Sequence, residues 1–146
     1  SFYLHCDWHA SHYLKVMCDR IFGYGNFRNE IVWCYWGASN VNDNFPRKHD
    51  VILFYARSKE TKFNKEAVRV PYAESSVKRS KYGGKPAGGM DFSSRKIQEG
   101  GKVIEDWWTD IPPMHNLRNE RVGYPTQKSL ALLERIIKAS SDGAQS

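Results

Sequence analysis

The chain has 146 residues, 40% of them apolar and 14% aromatic, which is enough for one domain with a real core and excludes a disordered tract. No apolar run reaches the roughly 20 residues that a membrane-crossing helix needs. The net charge of +6 is unevenly held: Arg57 to Lys102 carries 12 basic and 5 acidic residues, and the remainder carries 10 and 11, so the whole positive excess lies in one segment. Such a segment points to a polyanionic partner, with nucleic acid ahead of membrane because no amphipathic apolar stripe accompanies it.

In chain order, "FYLHC" (2–6) is short, aromatic and apolar, and predicts a strand. Leu14, Met17, Cys18, Ile21 and Phe22 then fall at the spacing of an amphipathic helix, with Asp7 placed as its N-cap and Gly23 as its C-terminal stop. "NEIVWCYW" (29–36) and "DVILFYA" (50–56) are near-continuous apolar runs that suit central strands covered on both faces. The link "GASNVNDNFPRKH" between them is too long for a tight hairpin and predicts a loop at one end of a sheet. Residues 73–106 are rich in Gly, Ser, Lys and Arg with few apolar anchors, and read as a basic insertion into a domain formed by 1–72 and 107–146. After "DWWTDIPP" comes a last helix in "SLALLERIIKASS", with Leu130, Leu133, Ile136 and Ile137 on one face.

The run "YLHCDWHASHYLK" places His5, Cys6, Asp7, His9 and His12 within eight positions. The three- and four-ligand spacings of zinc sites are absent, and a histidine pair at i, i+3 is weak evidence of coordination, so no metal is expected. Cys6, Cys18 and Cys34 are widely spaced in apolar patterns and read as free thiols in a reducing compartment.

The most specific stretch is "GYPTQKSLALLERIIKASS" (123–141), which closely resembles the Pro-Thr-Gln-Lys-Pro block of DNA amino-methyltransferases. These enzymes methylate the exocyclic nitrogen of adenine (N6) or cytosine (N4). The resemblance is to the group whose catalytic block precedes its cofactor loop. "YLHCDWHASHYLKVMCDRIFG", "NFRNEIVW", "KHDVILFYARS" and "WWTDIPP" are similar to other blocks of that family, in the same order. The resemblance implies a three-layer α/β sandwich with a mostly parallel sheet, part of a Rossmann-like S-adenosylmethionine-dependent fold. It implies S-adenosylmethionine as cofactor, with Tyr124, Pro125, Thr126, Gln127 and Lys128 beside the methionine moiety: Lys128 offers a charge to the carboxylate and Thr126 a hydroxyl. Ser129 stands where the family usually has a second proline, and is expected to loosen the first turn of the helix.

The family orients its flipped base with an Asp/Asn/Ser-Pro-Pro-aromatic loop, and no such tetrapeptide occurs here. "IPPM" (111–114) has the prolines without the polar first residue or the aromatic last one. The Gly-rich cofactor loop is absent too, so the sequence reads as an internal fragment with no nameable catalytic residue, inactive alone. By resemblance the basic insertion is a target-recognition region, in which Lys78, Arg79, Lys81, Lys85, Arg95 and Lys96 contact double-stranded DNA, with Arg47 and Lys48 on a loop that also faces it. The implied setting is a cytoplasmic restriction-modification system, with adenine ahead of cytosine as target and a restriction subunit as a further partner. A non-catalytic nucleic-acid-binding module or a decayed remnant is the competing reading of the same letters.

Overall fold

The computed structural model describes residues 1–58, 60–82, 97–124 and 126–141, with the side chains of Arg79, Lys81 and Tyr82 outside the described set. The chain divides into two compact units, one formed by Ser1–Asn64 with Glu105–Ser146 and the other by Lys65–Ile104.

The first unit is a four-stranded sheet of β1 (Phe2–Cys6), β2 (Phe27–Cys34), β3 (His49–Tyr55) and β6 (Trp107–Trp108), in the order β1-β3-β2-β6. The helix α1 (Ser11–Phe22) connects β1 to β2, and α3 (Leu130–Ser140) closes the unit. β3 runs antiparallel to both β1 and β2, whereas β2 and β6 are parallel. β1 and β2 therefore point the same way, one strand apart, with α1 as their crossover and β3 filling the gap, which is a split β-α-β arrangement. This corrects the expectation of a mostly parallel sheet for these hydrogen-bonded pairs. The apolar run Val51–Tyr55 is buried throughout, but what it encodes is cover on both faces of a central strand, and an inserted antiparallel strand obtains that cover as readily as a parallel one.

Residues alternate across β3, so its two faces meet different partners. Val51, Leu53 and Tyr55 form the core with Cys18, and Leu4, Cys6, Leu14, Phe22 and Phe27 pack on it. The contact stripe of α1 is thus Leu14, Cys18 and Phe22, at i, i+4 and i+8, while Met17 and Ile21, expected to join it, are 53% and 66% exposed. On the other face Tyr3 stacks on Phe54 with ring centroids 4.4 Å apart, and its hydroxyl is 2.7 Å from Ser140 Oγ at the end of α3.

The helix starts differ from expectation in an instructive way. Asp7 does not cap α1: the N-cap is Ala10, without a side-chain bond. The Asp7 carboxylate instead accepts from the His9 backbone N–H at 3.0 Å, closing a turn one step earlier. Ser129, expected to loosen α3, is its N-cap: fully buried, it accepts from the Leu132 backbone N–H at 3.3 Å. α3 packs through Leu132 and Ala139, leaving Leu130, Leu133 and Ile137 exposed.

The second unit contains the two-stranded antiparallel ribbon of β4 (Arg69–Val70) and β5 (Lys102–Val103), together with the helix α2 (Glu74–Tyr82). It begins at Lys65, ahead of residue 73, because Arg69 and Val70 pair with Val103 and Lys102.

Candidate functional site

The chain from Ile111 to α3 is a series of tight turns tied down at both ends. The Trp33 indole N–H donates to the Ile111 carbonyl at 2.8 Å, a buried bond that fastens the run after β6 to β2. Two 3-10 turns follow, Met114–Asn116 and Arg118–Glu120, and then Gly123 reverses the chain at φ 81°, a conformation that favours glycine.

The segment Tyr124–Lys128 is held mainly by Gln127. Its side-chain amide donates to the Glu120 carbonyl at 2.6 Å, and its oxygen accepts from the Val122 backbone N–H at 2.9 Å. The Glu120 carboxylate in turn accepts from the Leu130 backbone N–H at 3.0 Å, so a free amide at the start of α3 is already satisfied by a protein anion. With Ser129 capping Leu132, the polar groups of Gln127, Glu120 and Ser129 are all spent on the fold. Thr126 is exposed, Lys128 is half-buried, and the ring of Tyr124 is 67% exposed. Among the described residues no ion pair engages the Lys128 ammonium. Pro125 lies outside the described residues. The loop therefore presents one cation, one hydroxyl and one aromatic ring on a clamped backbone, a set suited to an amino-acid carboxylate.

The strand ends carry a polar cluster that reading along the sequence misses. His5 Nε2 is 2.9 Å from Asp50 Oδ2, and the Tyr35 hydroxyl donates to Asp50 Oδ1 at 3.2 Å. Burial, with the Asp50 carboxylate beside it, pushes the Tyr35 hydroxyl up to about 12, so it remains a donor at neutral pH. The only advance signal was the period-two spacing that puts His5 and Asp50 on one face once β1 and β3 pair, and that pairing is set by tertiary structure. The crowded histidines are accounted for singly: His5 faces Asp50, His9 Nδ1 is 3.1 Å from Asp7, and His12 is exposed on α1. Among the described residues no group of three or more His, Cys, Asp or Glu side chains is arranged to hold a metal ion.

Of the residues expected to face DNA, Arg47 lies with its guanidinium carbon 3.9 Å from the Trp8 ring centroid, and Lys48 donates to the Ala38 carbonyl at 2.8 Å. Both belong to the loop between β2 and β3, which leaves the sheet at the end where β1 passes into α1. Lys78 is exposed on α2 in the second unit. Arg79 and Lys81 are on the same helix by backbone, and Lys85, Arg95 and Lys96 lie outside the described residues.

A family model described as DNA methylase, of the N6 and N4 type, matches residues 1–144. The chain is 29% identical over 115 residues to the type II methyltransferase M.BglII of Bacillus subtilis, a match covering 79% of this chain and 30% of that protein. It is 28% identical over 117 residues to the type II methyltransferase M.HpaI of Haemophilus parainfluenzae, covering 80% of this chain and 31% of that protein. The match thus spans about a third of the length of either relative. A match that extends over residues 1–144 places the chain in a family: it belongs to the DNA methylases that modify exocyclic amino groups.

Proposed function

We propose that the chain is the part of a site-specific DNA methyltransferase that holds the amino-acid end of S-adenosylmethionine and brings a recognition unit to double-stranded DNA. The Lys128 ammonium and the Thr126 hydroxyl would hold the cofactor carboxylate, with Tyr124 contributing its ring to the same site. Gln127 acts as a positioning residue, and Pro125 stiffens the loop. The observation that carries this reading is the division of roles in the loop, where Gln127, Glu120 and Ser129 secure the backbone while, among the described residues, no ion pair engages the Lys128 ammonium.

When bound, S-adenosylmethionine would supply an electrophilic methyl group: the new N–C bond to the exocyclic amine of the target base would form as the S–C bond breaks, leaving the neutral thioether S-adenosylhomocysteine and releasing one amine proton. Adenine N6 is the preferred target and cytosine N4 the second. Lys78, Arg79, Lys81, Lys85, Arg95 and Lys96, with Arg47 and Lys48, supply cationic contacts to the DNA, most of them to its backbone. α1 on one face of the sheet and the end of α3 on the other suit a three-layer Rossmann-like sandwich. The setting that fits is cytoplasmic restriction-modification, with a restriction subunit as partner.

The test uses a polypeptide that joins this segment to a base-orienting loop and a Gly-rich cofactor loop. Lys128→Ala there raises the KM for S-adenosylmethionine about tenfold, the loss expected for one charge-assisted hydrogen bond, and leaves DNA affinity unchanged. An unchanged KM sinks the cofactor role of Lys128, and a joined polypeptide that binds DNA but transfers no methyl group favours a module that only binds DNA.

A further inference from the structure

The ribbon and the helix of the unit Lys65–Ile104 are secured very differently. The ribbon is locked. Arg69 pairs with the Glu66 carboxylate through two guanidinium nitrogens and donates through a third to the Gly101 carbonyl at 2.6 Å. Next to the paired residues, the Ile104 backbone N–H donates to the Val68 carbonyl at 3.1 Å, and Val68 is buried. A Cβ on Gly101 would lie 2.2 Å from the Val70 carbonyl oxygen, and φ there is 94°, so only glycine lets the two strands close.

Among its described side chains, α2 buries very little. Ser75, Ser76, Lys78 and Ser80 are exposed, and Val77 is only half-buried. A nine-residue helix whose only apolar residues are Val77 and Tyr82 is too short to be stable by propensity, so a bound partner would stabilise it. Charge identifies the partner's class: Lys65–Ile104 holds 9 basic and 4 acidic residues. Shape is compatible, since nine residues at ~1.5 Å each span ~14 Å and the DNA major groove is ~12 Å wide. Ser75 and Lys78 are at i and i+3, on one side of the helix and away from Val77.

We infer that α2 is the base-reading element of this chain, a helix carried into the major groove by the β4–β5 stem, with Ser75 and Lys78 meeting base edges. The inference rests on the DNA-binding reading above and goes beyond it by separating residues that read from residues that anchor. Lysine suits the O6 and N7 acceptors of guanine, and serine donates or accepts at either edge. The stem contributes position, and Gly101 is what allows it to stay rigid.

Affinity selection from a randomised duplex pool, with the 146-residue chain and its variants, tests this. The wild-type chain enriches a short sequence. Lys78→Ala and Ser75→Ala weaken the preference at one or two adjacent base pairs about tenfold, while the slope of log affinity against log salt stays the same, because no phosphate contact is lost. Alanine raises helix propensity at both positions, so a lost preference is not a lost helix. Gly101→Ala lowers affinity for the selected sequence and leaves binding to random duplex unchanged. Variants that keep the wild-type preference but lose about one unit of salt slope make α2 a phosphate anchor and overturn the inference alone. Duplex binding with no enriched sequence, or tighter binding to single-stranded DNA or RNA, overturns it too. A wild-type chain that binds no nucleic acid sinks the DNA-binding reading itself.

Discussion

Tyr55 is fully buried, yet its hydroxyl donates to Asp19 Oδ1 at 2.7 Å, and the Lys15 ammonium reaches the same carboxylate at 2.7 and 2.8 Å. That ammonium also lies 4.0 Å from the Phe27 ring centroid, so one polar clamp fixes α1 on β3 amid apolar packing. Lys15 first and Tyr55 second hold the Asp19 carboxyl below its ordinary value. A carboxyl depressed in the folded state adds stability that is full above about pH 3.9 and is lost as pH falls through the lowered value. Tyr55→Phe therefore destabilises the chain by about 1 kcal/mol at neutral pH and moves the acid-unfolding midpoint upward. Denaturant melts and an acid titration followed by circular dichroism check both, and an unmoved acid midpoint contradicts the clamp. Ser129→Ala removes the α3 cap and costs about 1 kcal/mol. Ser129→Pro loses the same bond but keeps the backbone, because φ there is −66°, the angle a proline ring imposes. A backbone dihedral of this kind cannot be read from neighbouring letters, which is why the serine looked like a weakness in the sequence.

Among the elements, the run 107–113 links strand to helix. Trp33 holds it from β2 through Ile111, and Arg135 of α3 holds it through a two-pronged pair with Asp110 while its guanidinium carbon sits 4.9 Å from the Trp108 ring centroid. Trp33→Phe leaves the buried Ile111 carbonyl without its donor and is expected to cost about 2 kcal/mol, measured by urea unfolding; a loss within error would mean the carbonyl finds another donor. Existence and type of the long elements were legible in the sequence, since α1 and α3 follow a helical period and β1, β2 and β3 are short apolar runs rich in aromatic and β-branched residues. Their contact faces were less so. α1 and α3 are apolar on more than one side, so periodicity alone could not say that Leu14, Cys18 and Phe22 would pack and Met17 and Ile21 would not.

For the whole molecule, the two units differ in how they are held. Lys65–Ile104 carries most of the positive excess and, among its described residues, buries Val68, whereas the sheet unit contains the buried cluster around Leu53 and Tyr55. On the proposed reading the clamped loop at α3 supplies one wall of a cofactor site, and one wall binds weakly. Isothermal titration of the 146-residue chain with S-adenosylmethionine should give weak or no heat, and sub-micromolar affinity would contradict that assignment.

The order of short motifs along the chain was enough to determine the family, and local apolar patterning enough to determine β1, α1, β2, β3 and α3, because both depend on residues close together in sequence. Tertiary structure alone decided that β3 enters antiparallel between β1 and β2, that Glu120 and Gln127 secure the loop bearing Lys128, and that His5, Tyr35 and Asp50 meet. Those outcomes turn on strand register and on hydrogen bonds that form only once the chain has folded back on itself, and neither is encoded in any one stretch of sequence.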